Sequence, residues 1–128
     1  MVGTRGESQL LVTSEVVVGF LAMEDARVLS TPHMIGRMER TCRDTVLPLL
    51  EKGYDTVGTH VNVFHRAAAP IGSVVKFISE ITSVQDRRIQ FKVTAKTDEE
   101  VIGEGTHERA IINVAKFATR LAEKMRRK

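Results

Sequence analysis

The chain has 128 residues, a length that suits one domain and is short for two. Apolar residues make up 42% of it and charged residues 27%, a balance that excludes disordered and fibrous classes and predicts a globular protein with a core. The formal net charge is +3. We therefore predict one domain that spans residues 1–128.

The cellular location and the lack of redox chemistry are predicted from features that the sequence does not have. No run approaches roughly 18 uncharged apolar residues, and the first ten residues do not have the layout of a signal peptide. The one cysteine, Cys42, cannot form an internal disulfide. We predict a cytoplasmic protein with no membrane partner and no redox chemistry. The four histidines show no metal-motif spacing, which predicts no metal: His33, His60, His65 and His107.

The positive charge is concentrated at the chain's end, in Lys124, Arg126, Arg127 and Lys128. Such a patch can attract nucleic acid, an anionic membrane or a phosphate-bearing ligand. It is more simply explained as a solvated helix tail, since positive charge is favourable near a helix C-terminus. With one Tyr and no Trp, the chain lacks the aromatic platform of single-strand binders, so no nucleic-acid partner is predicted.

The first third of the chain predicts one strand and one long helix. Residues 9–18 are rich in Val and Leu and favour a half-buried strand, whereas residues 19–30 are mixed and permit a short helix or a loop over a pocket. Thr31 followed by Pro32 is a helix start in which the threonine hydroxyl caps free N–H groups. The helix is expected over residues 31–51, with Pro48 loosening its last turn. Its apolar stripe is Met34, Ile35, Met38, Cys42, Val46 and Leu49.

After Gly53 the apolar period changes to two, which predicts strands. The first of them would place one set of residues on a single face: Val57, Thr59, Val61, Val63 and His65. A turn at residues 70–73 precedes a strand over residues 74–84. A reversal at residues 86–88 leads into a strand with alternating Ile89, Phe91, Val93 and Ala95. A strand over residues 101–112 and a terminal helix over residues 116–128 complete the order, which is typical of an α+β fold.

Three side chains are candidates for acid–base or nucleophilic chemistry. His65 can exchange a proton near neutral pH, although a lone histidine on an apolar face is more often a core residue. Glu39 lies at the edge of the helix stripe, and an exposed pair with Arg43 is its plainer explanation. Thr31 is explained by capping, yet a helix N-terminus also favours a developing oxyanion. Their spacing does not establish a triad.

Glycines inside strands and one arginine are candidates for binding. Gly58, Gly103 and Gly105 weaken a strand unless a bulge or a close backbone approach requires them, and a ligand passing nearby would be one such approach. Arg109 could bind a phosphate or carboxylate through its planar fork, or pair with groups near Glu108.

Three segments together resemble the fluoroacetyl-CoA thioesterase-like family: Ser30-Thr31-Pro32 with Glu39 eight residues later, residues 57–65 (VGTHVNVFH) and residues 103–109 (GEGTHER). The resemblance implies the hotdog fold, an antiparallel β-sheet wrapped around one long central helix. It implies hydrolysis of short-chain acyl-CoA thioesters, with Thr31, Glu39 and His65 as the catalytic set. It also implies that Gly58 and Arg109 contact the substrate.

The resemblance further implies a homodimer, or a tetramer, with the active site in a cleft at the dimer interface. No cofactor is expected apart from coenzyme A as part of the substrate. The family's phenylalanine-lined lid is not reproduced in residues 19–30, where Phe20 is followed by Glu24 and Asp25, so a general short acyl group is expected rather than fluoroacetyl. Two alternatives are a non-catalytic acyl-CoA-binding protein and a nucleic-acid or interaction module that uses the basic tail.

Overall fold

A computed structural model describes residues 1–20 and 23–127, and the side chains of residues 20–25 lie outside that description. Within these ranges the chain forms seven strands, two α-helices and a short 3-10 helix. The elements are β1 Arg5–Leu11, β2 Val17–Phe20, β3 Met23–Leu29, α1 Thr31–Val46, the 3-10 helix Leu47–Leu49, β4 Tyr54–His65, β5 Val74–Gln85, β6 Arg88–Lys96, β7 Val101–Asn113 and α2 Val114–Arg126.

Five of the strands form one antiparallel sheet in the order β1-β5-β6-β7-β4. Short reversals join β5 to β6 and β6 to β7, and Asp86 adopts a left-handed conformation (φ 56°) in the first of these. Aspartate tolerates this conformation better than most residues because its short side chain can bond to the backbone nearby. The strands β1 and β4 are the two edges, and β4 is the edge nearest the candidate site residues.

Helix α1 crosses one face of this sheet and contacts β1, β4, β5, β6 and β7. Its buried residues recur at three- and four-residue steps: Met34, Met38, Thr41, Cys42 and Val46. They meet the inward side chains of β6, where Ile89, Phe91, Val93 and Ala95 are all buried as the alternation predicts. The predicted α+β fold, with a sheet around one long helix, is confirmed.

The ends of α1 differ from the prediction in two respects. Ser30, not Thr31, is the N-cap, and its hydroxyl accepts a hydrogen bond from the His33 N–H at 3.3 Å. The α-helix ends at Val46, and the chain continues as a 3-10 helix around Pro48, whose ring nitrogen has no hydrogen to donate. Leu49 is therefore 47% exposed and is not part of the core stripe.

The segment before α1 is where the sequence prediction was wrong. Residues 17–20 and 23–29 pair as the β2–β3 hairpin, not as a short helix or a loop. The strand expected over residues 9–18 is divided between β1 and β2 by a turn near Thr13 and Ser14. Pairing between two short strands depends on the partner strand, and residues 23–27 mix charged and apolar types without clear alternation.

The face prediction for β4 was also wrong in its first half. The register with β7 shifts between Gly58 and His60, which leaves Thr59 as the extra residue of a β-bulge. Before the bulge Thr56 is the buried residue, and after it Val61, Val63 and His65 are the more buried ones. Val57 and Thr59 therefore do not share the inner face with His65.

Candidate active site

Thr31 and His65 form a hydrogen-bonded pair at the start of α1. The distance between Thr31 Oγ1 and His65 Nδ1 is 2.7 Å. Since Ser30 supplies the N-cap, the Thr31 hydroxyl is not used for capping and is available to the imidazole. His65 is the last residue of β4, which brings it beside the first turn of α1.

The pair borders an open cleft of about 310 Å³. The rest of the cleft is lined by Arg66 and by apolar residues of the β2–β3 hairpin and of the segment after β4: Val18, Val28, Leu29, Ala67 and Ala68. Thr31 is exposed and His65 half-buried, so both are accessible from one side. A mostly apolar cleft with a few polar groups, here Thr31, His65 and Arg66, is the usual form of a small-molecule site.

The second ring nitrogen of His65 is buried and has no hydrogen-bond partner among the described residues. Buried polar atoms in proteins are almost always satisfied by a partner. His65 therefore retains at Nε2 one donor or acceptor that no described residue uses while Nδ1 is bonded to Thr31.

Glu39 does not join this pair within one chain. It lies eight residues after Thr31 on α1, a rise of about 12 Å along the helix axis. The expected pair with Arg43 is wrong: Arg43 forms a bidentate ion pair with Asp55, with Nε to Oδ1 at 3.0 Å and Nη2 to Oδ2 at 2.6 Å. That pair lowers the pKa of Asp55. Within residues 1–20 and 23–127, the Glu39 side chain has no hydrogen bond or ion pair, and the residue is half-buried.

Arg109 is turned into the interior and is only 6% exposed. Its Nε donates to Thr56 Oγ1 at 2.7 Å, and Nη2 donates to the Thr56 carbonyl oxygen at 2.9 Å. Nη1 is bonded to His107 Nε2 at 3.1 Å. Burial is the main cause that lowers the pKa of Arg109, and the nearby charge of Glu39 acts in the opposite direction. The alternative that Arg109 pairs with a neighbour of Glu108 is confirmed by the bond to His107, while Glu108 itself binds Thr59 and Gln90.

Gly58 lies directly over this arginine. A Cβ built on Gly58 would lie 3.2 Å from His107 Cε1 and 3.5 Å from Arg109 Nη1. Gly58 itself is exposed and precedes the bulge, so its backbone can be approached from outside. By contrast, Gly103 packs against Met34, and Gly105 packs against the β4 backbone at Asn62 and Val63. The close approach at these two glycines is internal packing and not a ligand contact.

Cys42 is fully buried, and burial raises the pKa of its thiol to about 12. The Arg109 charge opposes this rise and Glu39 adds to it. A thiol in this state is protonated at neutral pH and is a poor nucleophile. Cys42 therefore belongs to the core and not to the reactive set.

Comparison with known proteins identifies the family of this chain. Residues 12–115 match the protein family described as fluoroacetyl-CoA-specific thioesterase. A curated fluoroacetyl-CoA thioesterase of Streptantibioticus cattleyicolor is 40% identical over 101 residues, which cover 79% of this chain and 73% of that protein. The chain belongs to this thioesterase family.

Solved structures of thioesterases have the same fold as this family member. One is a variant of the fluoroacetyl-CoA-specific thioesterase in complex with fluoroacetate and CoA, with a TM-score of 0.82 and 36% identity over 91% of this chain and 98% of that one. Another is a thioesterase superfamily member of Thermus thermophilus, with a TM-score of 0.87 and 27% identity over 100% and 97% of the two chains. The predicted hotdog fold and the family assignment are confirmed.

Three residues around the site of this thioesterase were not singled out from the sequence: Ser30, Thr56 and His107. His107 could have been found, because alternation along β7 places it on the same face as Arg109. Thr56 could not, since the bulge changes which face of β4 is buried. Ser30 and Thr31 are adjacent hydroxyl residues, and either is able to cap a helix.

In the part of the chain that the structure describes, no group of three or more His, Cys, Asp or Glu side chains is placed to hold a metal ion. In the same ranges, no helix of this thioesterase is both long enough and apolar enough to cross a membrane.

Proposed function

We propose that the protein hydrolyses short-chain acyl-CoA thioesters to the free acid and CoA, in one domain spanning residues 1–128. The observation that carries this proposal is the Thr31–His65 hydrogen bond at the edge of an apolar cleft. Membership of a thioesterase family supports it, as does a related structure that holds fluoroacetate and CoA. CoA enters as part of the substrate, and no cofactor is part of the reaction that we propose.

In this reaction His65 acts as general base and then as general acid. It takes a proton from the attacking oxygen, which belongs to water or to the Thr31 hydroxyl, as that oxygen adds to the thioester carbonyl carbon. The carbon–sulfur bond then breaks, and a proton passes to the CoA sulfur. If Thr31 attacks, water hydrolyses the acyl-threonine in a second step. Backbone N–H groups around Gly58 stabilise the oxyanion. Gly58 lies seven residues before His65 on β4, roughly 20 Å away, so these groups belong to the second protomer of the homodimer proposed next.

We place Glu39 in the same reaction across a homodimer interface. Within one chain the helix rise separates Glu39 from the Thr31–His65 pair, so one substrate meets both most directly when two chains contribute. The free edge strand β4 carries Gly58 and ends at His65, which makes it the natural surface for pairing with a second copy. Glu39 of one protomer would then assist or orient the attacking oxygen at the pair of its partner.

The acyl group is proposed to be short and general. Phe20, Glu24 and Asp25, on which the prediction against fluoroacetyl selectivity depends, lie outside the described side chains. The described part of the cleft is mostly apolar, with Arg66, Thr31 and His65 as its polar residues, and its volume of about 310 Å³ suits a small acyl chain. A cytoplasmic location and the lack of nucleic-acid and membrane partners stay predictions.

A panel of acyl-CoA thioesters tests the activity. Acetyl-, fluoroacetyl-, propionyl-, butyryl- and octanoyl-CoA are each incubated with the protein, and free CoA thiol is followed by a colorimetric reagent. We expect turnover of the short members, with kcat/KM falling at octanoyl-CoA, because the cleft is small. Saturable binding without turnover of any member would favour a non-catalytic acyl-CoA-binding protein instead.

Oligomeric state is tested by light scattering on a dilution series with activity measured in parallel. We expect a mass of at least two protomers, and a loss of specific activity where dissociation begins. Asn62→Lys, which adds a charge to the exposed side of the β4 edge, should shift the equilibrium toward monomer. Gln9→Lys, a matched change on the opposite edge strand β1, should not. A fully active monomer would contradict the shared site.

A further inference from the structure

The buried histidine of β7, His107, has both ring nitrogens engaged. Its Nδ1 lies 2.8 Å from the carbonyl oxygen of His60, which can only accept, so Nδ1 carries the hydrogen. Its Nε2 lies 3.1 Å from Arg109 Nη1, which can only donate, so Nε2 is the acceptor. These two partners fix the ring in its neutral Nδ1–H tautomer.

The surroundings of His107 hold the ring in this state. It is 1% exposed and stacks on Phe91, with ring centroids 6.2 Å apart and an angle of 28° between the planes. Burial is the main cause that lowers its pKa, and the adjacent Arg109 charge lowers it further, while the His60 carbonyl and Glu39 act in the opposite direction. A neutral ring is what the hydrogen bond from Arg109 requires.

The same contacts define where the Arg109 guanidinium lies. Thr56 holds it from one side through Nε and Nη2, and His107 holds Nη1 from the other. This arrangement places Nη1 beneath Gly58, next to the space that a side chain there would fill. The bulge after Gly58 includes His60, whose carbonyl anchors the ring, so the bulge links the exposed glycine to the buried arginine.

We propose that His107 is a positioning residue, which holds the Arg109 guanidinium against Gly58 and thereby sets the affinity for the acyl-CoA. The proposal rests on the proposed function and on the substrate contact of Gly58 and Arg109 that the family resemblance implies. His107 does not touch the reacting atoms and does not take part in proton transfer. Its effect is therefore expected on substrate binding, with the chemical step left nearly unchanged.

Two matched variants test the two hydrogen bonds of the His107 ring separately. His107→Asn keeps a donor near the Nδ1 position for the His60 carbonyl but removes the acceptor of Arg109. His107→Gln keeps an acceptor near the Nε2 position. We expect His107→Asn to raise KM about tenfold with kcat within about twofold, and His107→Gln to restore KM to within about threefold of the wild type. Equal KM increases in both variants would overturn the proposal, as would a fall in kcat at unchanged KM.

A double-mutant cycle with Arg109→Lys tests whether His107 acts through the arginine. Lysine keeps the charge but lacks the planar fork that reaches Thr56 and His107 together. In the Arg109→Lys background, His107→Asn should add little to KM, and an undiminished additional effect would overturn the proposal.

The dissociation constant of a non-hydrolysable thioether analogue of acetyl-CoA, measured by calorimetry, should change in parallel with KM. This measurement needs no turnover, so it tests His107 even if the wild type hydrolyses no acyl-CoA, an outcome that would count against the proposed function alone. If His107→Asn does not fold, the tautomer of His107 in the wild-type protein is measured instead by nitrogen NMR of the histidine rings. The neutral Nδ1–H tautomer at His107 is expected, and an Nε2–H tautomer would overturn the proposal.

Discussion

Replacing His65 with alanine is expected to lower kcat/KM for acyl-CoA hydrolysis by about 100-fold or more, because it removes the proposed general base. Thr31→Ala should also reduce the rate strongly, since His65 Nδ1 loses its partner at 2.7 Å. Thr31→Ser retains the hydroxyl and should keep most of the activity. Thiol release under saturating and subsaturating substrate gives kcat and KM separately.

The matched control for this series is His33→Ala. His33 is an exposed histidine two residues after Thr31, and its Nδ1 lies 2.6 Å from Ser30 Oγ rather than near the cleft. Its loss should leave turnover within about twofold of the wild type, because no proposed catalytic contact is removed. Unchanged rates in both His65→Ala and Thr31→Ala would refute the assignment of the pair. Thermal unfolding of each variant checks that the fold is intact.

Gly105→Ala is expected to lower the free energy of unfolding by about 3 kcal/mol or more. A Cβ at this position would collide with the backbone of β4 at Asn62 and Val63, which cannot rotate away as a side chain can. Because β4 and β7 pair along most of their length, relieving the collision must separate part of that ladder. Denaturant unfolding followed by circular dichroism measures the loss.

Gly36→Ala is the contrasting variant. Gly36 lies within α1, and a Cβ there meets nothing within 4 Å. Alanine should therefore stabilise the protein by roughly 0.5–1 kcal/mol, the usual difference in helix propensity. A Gly105→Ala variant whose unfolding midpoint matches that of the wild type would show that the two strands can move apart at little cost.

Periodic patterns in the sequence predicted the long elements well. The alternation of Ile89, Phe91, Val93 and Ala95 identified a strand that is buried on one face, and Thr31-Pro32 marked the start of α1 correctly. These signals are local, because a strand or helix buried on one face must repeat its apolar residues with its own period.

The elements that were missed depend on long-range pairing. The β2–β3 hairpin includes a charged stretch whose strand conformation is decided by its partner. The β4 bulge moves Thr56 to the buried face, and no residue type in the segment predicts such a shift. A single bulge is enough to invert a face assignment, because side chains alternate with period two.

For the site, sequence and resemblance together named Thr31 and His65, which the fold brings into contact. They did not reveal that Glu39 would lie apart from them, or that Arg109 would point inward. Both outcomes depend on the direction of a side chain relative to a second element. The partner of Arg43 is an example: a helix neighbour was expected, but Asp55 on β4 provides a bidentate geometry that Glu39 does not.

The buried position of Cys42 allows its thiol to report how often α1 separates from the sheet. Its thiol is enclosed between α1 and the sheet, and it is the only thiol in the chain. A thiol-specific reagent can reach it only when the helix separates from the strands, so the labelling rate under native conditions measures how often that separation occurs. Comparing this rate with global unfolding would show whether α1 leaves the sheet alone or only when the whole domain unfolds.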